Sequence, residues 1–131
     1  MSEENVEIVR RLYETWMPGG EALLSFADPE IEFSQPPGQP GAGTYRGREA
    51  VRRALAQWFE PWDDYRIEVD RLIDLGDDVL AETRQYARGK GSGVEVEHRI
   101  FQLWTLRDGR IQRARMYFDR GQALEAAGLR K

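Results

Sequence analysis

The sequence predicts an α+β fold on three observations. Apolar residues recur at three- and four-residue spacing near the N-terminus and again after residue 47, as on one face of a helix. From Tyr65 onward the pattern becomes strand-like, with Gly-bearing turns at Gly76 and Gly109. Helices gathered before a run of antiparallel strands define an α+β arrangement, in which the helices cover one face of a curved sheet.

The first helix is read over residues 3–17. Ser2 can cap it, Glu3 and Glu4 stand where the helix dipole favours anions, and Val6, Val9, Leu12, Tyr13 and Trp16 form its stripe. Pro18-Gly19-Gly20 ends it. A short helix at 20–26 carries Leu23, Leu24 and Phe26; Asp28-Pro29 signals a turn and Ile31-Glu32-Phe33 a short strand. Residues 35–47 hold three of the six prolines and read as irregular, either a plain surface loop or a rim over a pocket. The clearest helix spans 47–60, with Val51, Ala54, Leu55, Trp58 and Phe59 on one side and Arg48, Arg52, Arg53 and Gln57 opposite. Pro61 stops it. Strands follow at 65–75, 79–88, 94–106 and 110–118, then a short helix from Asp119 to Ala127 with Gly128 as its stop.

Side chains alternate across a strand, so register decides which face is inner. A three-residue loop at Arg107-Asp108-Gly109 pairs Leu106 with Arg110, Trp104 with Gln112, Gln102 with Ala114, Ile100 with Met116 and His98 with Phe118. This set is mainly apolar and is read as inner; Arg99, Phe101, Leu103, Arg113, Arg115 and Tyr117 are outer. On the 79–88 strand, Val79, Ala81, Thr83 and Gln85 form the less charged face and are placed inside. Small residues facing a helix leave the space that a small-molecule pocket needs.

The 131 residues make about one domain, read as a single unit over 1–131. The net charge of −4 argues against a nucleic-acid partner. Without cysteine there is no disulfide or thiolate chemistry, and the single histidine, His98, builds no multi-histidine metal site. No metal or cofactor is expected. No apolar run reaches the length of a membrane span and the N-terminus lacks the features of a signal peptide, so the expected location is cytoplasmic.

With the elements placed, the chain resembles the NTF2-like superfamily, in its SnoaL-like branch. The residues that carry the likeness are Ala22 to Phe33, Tyr45 to Arg52, Gln102 to Ile111 and Tyr117 to Leu129. The resemblance implies a cone: a curved, mixed, mostly antiparallel sheet around a deep pocket, wrapped by three N-terminal helices, with a short helix at the C-terminus. It implies a homodimer through the outer sheet face. On that face Arg84, Arg99, Arg113 and Arg115 would either pair across a dimer with Glu82 or Glu97, beside Phe101, Leu103 and Tyr117, or be solvated. The superfamily includes polyketide cyclases, ketosteroid isomerases, limonene epoxide hydrolases and non-catalytic binders.

Each chemistry can be set against the residues present. The isomerases need a tyrosine on the first helix, a second acid in the sheet and an aspartate base after the first strand. The nearest positions are Leu12 (with Tyr13 beside it), Gln102, and Ser34 or Gln35, none of them a base. The epoxide hydrolase positions fall on Thr83, Gln85 and Met116, and none of these activates water. The cyclase pattern places an acid/base at Asp119, with His98 assisting from the adjacent strand. Against that, Asp119 and Gln122 also have the spacing of a helix capping box.

The remaining candidates line a pocket. Tyr13, Trp16, Trp58, Phe59 and Trp62 form an aromatic roof or plain core. Thr83, Gln85, Gln102, Met116 and Phe118 form the wall. Two main readings stand: a pocket protein holding a small, mainly apolar molecule, or a cyclase- or isomerase-like enzyme using Asp119 and His98. An accessory or sensor domain acting through a protein partner is a weaker third.

Overall fold

The computed structural model describes residues 2–15, 21–35 and 43–129. The elements run α1 (Ser2–Glu14), α2 (Glu21–Ser25), β1 (Ala27–Gln35), β2 (Gly43–Arg46), α3 (Arg48–Phe59), β3 (Trp62–Asp74), β4 (Asp78–Gly89), β5 (Glu95–Arg107), β6 (Arg110–Tyr117) and α4 (Arg120–Ala126). The six strands form one curved sheet in the order β2-β1-β6-β5-β4-β3, antiparallel except where β1 runs parallel to β6.

Two strand assignments differ from the sequence reading. The expected short strand at 31–33 extends from Ala27 to Gln35, through the expected Asp28-Pro29 turn. Proline has no N–H, and Pro29 falls in the stretch between Ala27 and Glu32 where the β1–β6 register is broken, so the ladder loses no donor there. The expected irregular segment 35–47 contains β2, which pairs with β1 from Glu32↔Arg46 to Gln35↔Gly43. Gly47 then turns the chain at φ +84°, its N–H donating to the Ile31 carbonyl, and α3 begins.

The β5–β6 hairpin corrects the expected register. It closes in two residues, with Arg107 opposite Arg110 and both Asp108 (φ +53°) and Gly109 (φ +77°) in the left-handed region, as a primed turn requires. A bulge between Thr105 and Leu106 then places Trp104 opposite Ala114 and Gln102 opposite Met116, two residues from the expected pairing. A shift of two keeps every side chain on its face. Ile100, Trp104, Leu106, Ala114 and Met116 therefore enter the main core on the concave side, with Val9, Leu12, Val51 and Leu55 of the helices.

The helices do not all lie on that side. Leu80, Phe101 and Leu103 are buried on the opposite face of the sheet, packed against Ala123, Leu124 and Ala127. Fully burying side chains of this size contributes roughly 1.5–3 kcal/mol each. Phe101, Leu103 and Tyr117, expected on an open dimer surface, are covered within the chain by α4 and the residues after it. The outer charges are also paired within the chain: Arg84 holds Asp70 at 2.9 Å, Arg99 approaches the same carboxylate at 3.7 Å, and Arg120 reaches the buried Glu82 at 3.5 Å. Among the described residues, no helix is long and apolar enough to cross a membrane.

Candidate functional site

The concave face carries two hydrogen-bond relays of the same composition. In the first, Trp104 Nε1 donates to the Tyr13 hydroxyl at 3.0 Å, and that hydroxyl donates to Gln102 Oε1. In the second, Trp58 Nε1 donates to the Tyr65 hydroxyl at 3.2 Å, and that hydroxyl donates to Gln85 Oε1. The second continues: Gln85 Nε2 donates to Thr83 Oγ1 at 3.1 Å, and Thr83 donates to the Ile100 carbonyl at 2.7 Å.

The direction of each relay follows from donor chemistry. An indole N–H only donates, so the tyrosine oxygen accepts it and its single proton points onward. The glutamine must then present its carbonyl oxygen to the tyrosine, which turns its NH₂ the other way. Gln85 uses that NH₂ on Thr83 and is buried. Gln102 lies between Ala81 on β4 and Met116 on β6, both buried, yet is itself only half-buried.

Aromatic side chains stand beyond the amides. Trp58 of α3 lies 6.1 Å from the Phe118 ring, and His98 meets the same ring edge-on at 6.4 Å. Trp58 and Phe118 are half-buried and His98 is exposed, so this end of the concave face opens to solvent. Phe59 packs edge-on against Tyr65 at 4.8 Å. Trp62, Phe59 and Tyr65 line a cleft of about 530 Å³ at the α3–β3 junction. The relay tyrosines border other clefts: Tyr13 one of about 450 Å³ between α1 and β3, Tyr65 one of about 630 Å³ at the ends of β3, β4 and β5. Trp16 lies outside the described residues.

Burial pushes the Tyr65 hydroxyl up to about 12, only partly offset by the Trp58 bond. Burial pushes Tyr13 up further, against the opposing effect of Trp104. A raised folded-state pKa favours the neutral hydroxyl, so the contribution of Tyr65 to stability is fully present below about pH 10 and is lost as pH rises through about 12. An alkaline titration followed by phenolate absorbance should show Tyr13 and Tyr65 ionising late, in step with unfolding. Phenolate formation complete by about pH 10.5, with the protein still folded, would contradict the burial of these hydroxyls.

Asp119 is exposed, in extended backbone (φ −117°, ψ 124°), and its Oδ1 accepts the Gln122 N–H at 3.2 Å as the N-cap of α4. At the other end of α4, Gly128 adopts φ +78° and the Leu129 N–H closes on the Leu124 carbonyl. His98 is exposed at the open rim, where its ring meets Phe118, the residue before Asp119.

Two further residues join the wall. Tyr65, read only as the start of a strand, holds Gln85 in place. Gln35 continues the alternation of Ile31 and Phe33 onto the concave face and is buried, whereas Ser34 turns outward to Thr44 at 3.0 Å. The alternation extended by two residues was the available signal. Tyr13, rather than Leu12, carries the hydroxyl that meets Gln102.

A six-stranded curved sheet with three helices on its concave side defines the class of NTF2-like α+β cones. Residues 9–114 match the SnoaL-like domain family, and the chain belongs to it. Similar solved structures include a candidate SnoaL-like polyketide cyclase from Jannaschia sp. CCS1 (22% identity, 98% of this chain and 93% of that one, TM-score 0.78). An NTF2-like protein from Burkholderia thailandensis E264 is 28% identical over 91% of this chain and 95% of that one, with TM-score 0.73. A protein of ketosteroid isomerase-like fold from Catenulispora acidiphila, in complex with trimethylamine, is 19% identical over 94% and 93%, with TM-score 0.74. A comparison with curated proteins returned no match.

Proposed function

We propose that this chain is a non-covalent binding protein for a small, mainly apolar, uncharged molecule held on the concave face of the cone. One observation carries the reading: the polar side chains on that wall are amides and hydroxyls. Tyr13, Gln35, Tyr65, Thr83, Gln85 and Gln102 bear no charge near neutral pH, and burial holds the two tyrosine hydroxyls neutral well above it. A general acid or base needs an ionisable group within hydrogen-bond reach of the reacting atom. Asp119, the acid nominated for cyclase chemistry, is the cap of α4. The open aromatic end, Trp58 and Phe118 with His98 at its edge, supplies an apolar entrance.

The test is a titration with phenylnaphthylamine, an uncharged dye that fluoresces in apolar surroundings. Saturable binding at one site per chain is expected, weakened about tenfold by Trp58→Ala through loss of apolar contact. Asp119→Ala is expected to lower unfolding free energy by about 1 kcal/mol while leaving dye affinity within about twofold. Non-saturable binding would refute the reading, as would a large affinity loss in Asp119→Ala alone.

A further inference from the structure

The Oε1 atom of Gln35 is buried and has no hydrogen-bond partner among the described residues. A buried amide oxygen left unpaired destabilises the fold, and native chains rarely carry one without a use. Its place in the sheet indicates the use. β1 and β6 run parallel with Phe33 opposite Ala114 and Ser34 opposite Arg115, which brings Gln35 level with Met116. Met116 pairs with Gln102. Gln35, Met116 and Gln102 thus form one row across the concave face, the two glutamines flanking the methionine two strand spacings apart, roughly 10 Å between backbones.

The two amides offer opposite polarity. Gln35 holds an unused acceptor. Gln102 has its oxygen committed to Tyr13, which leaves its NH₂ as the group turned away from that bond. We propose, building on the binding reading above, that Gln35 and Gln102 form a two-point anchor for a neutral ligand with a hydrogen-bond donor beside an acceptor, as in a primary amide, lactam or imide. The donor goes to Gln35 Oε1 and the carbonyl to Gln102 Nε2, over the thioether of Met116. An anion is disfavoured there, because Gln35 presents an oxygen lone pair.

The experiment compares four probes with one ring system: naphthamide, acetonaphthone, methylnaphthalene and naphthoate. Naphthamide is expected to bind about tenfold tighter than methylnaphthalene, with acetonaphthone between them and naphthoate weakest. In Gln35→Leu the preference for naphthamide over acetonaphthone should vanish while methylnaphthalene binding remains. The same variant, without probe, should unfold at a higher denaturant midpoint than the parent, because it removes an unpaired buried oxygen. Equal affinity for naphthamide and methylnaphthalene, or tightest binding of naphthoate, overturns the anchor and leaves apolar binding standing. A lower midpoint in Gln35→Leu also overturns it, since Gln35 would then be structural. Failure of all four probes to bind overturns the binding reading itself.

Discussion

Tyr13→Phe is expected to lower unfolding free energy by about 2–3 kcal/mol, although it removes a single oxygen atom. That oxygen is the middle of a relay. Without it the Trp104 N–H loses its acceptor and Gln102 Oε1 loses its donor, in a wall where Trp104 is buried. Each orphaned buried group costs about 1–3 kcal/mol, and the half-buried Gln102 recovers part of that from water. Adding Gln102→Leu to Tyr13→Phe should be less damaging than the sum of the two single changes, because the second removes one of the groups the first orphaned. Urea unfolding of the four species of this cycle measures the coupling. A loss below about 0.5 kcal/mol for Tyr13→Phe, or strict additivity, would contradict the relay.

Ala123→Glu is expected to cost about 3–4 kcal/mol, through a different part of the fold. Ala123 is fully buried against Leu80, Phe101 and Leu103 on the outer side of the sheet. A carboxylate there is neither solvated nor paired, so undocking a seven-residue helix is the cheaper response. The exposed apolar face should then bind a hydrophobic dye and promote self-association. Urea unfolding and light scattering follow both effects. A stability loss under about 1 kcal/mol with no association would mean that α4 does not seal this face.

The outer cluster also shows where sequence reasoning stops. Alternation assigned the strand faces correctly: Val79, Ala81, Ile100 and Trp104 are in the concave core, and Phe101 and Leu103 are on the other side. Alternation gives a face, however, and not what covers it, so residues buried under α4 read as an open dimer surface. The cap at Asp119 was legible because its partner is three residues away. The β2 strand was not, since its pairing with β1 spans a segment whose prolines and glycines signal a loop. The hairpin turn is not legible because a bulge just past its second pair restores the faces that a two-residue turn would otherwise exchange. The glutamines of the wall were visible as amides on an inner face. Their partners Tyr13 and Tyr65 are 89 and 20 residues away, and no local pattern announces such a contact.

On this reading the cone presents a wall that does not titrate near neutral pH. The most direct measurement is the affinity for phenylnaphthylamine from about pH 5.5 to about pH 9, a range clear of ordinary carboxylate and tyrosine titration. Affinity constant within about twofold is expected across this range, because the polar groups of the wall are amides and buried hydroxyls. A tenfold or greater inflection that is abolished by Asp119→Asn would contradict the account, since it would show an ionisable acid at the bound molecule.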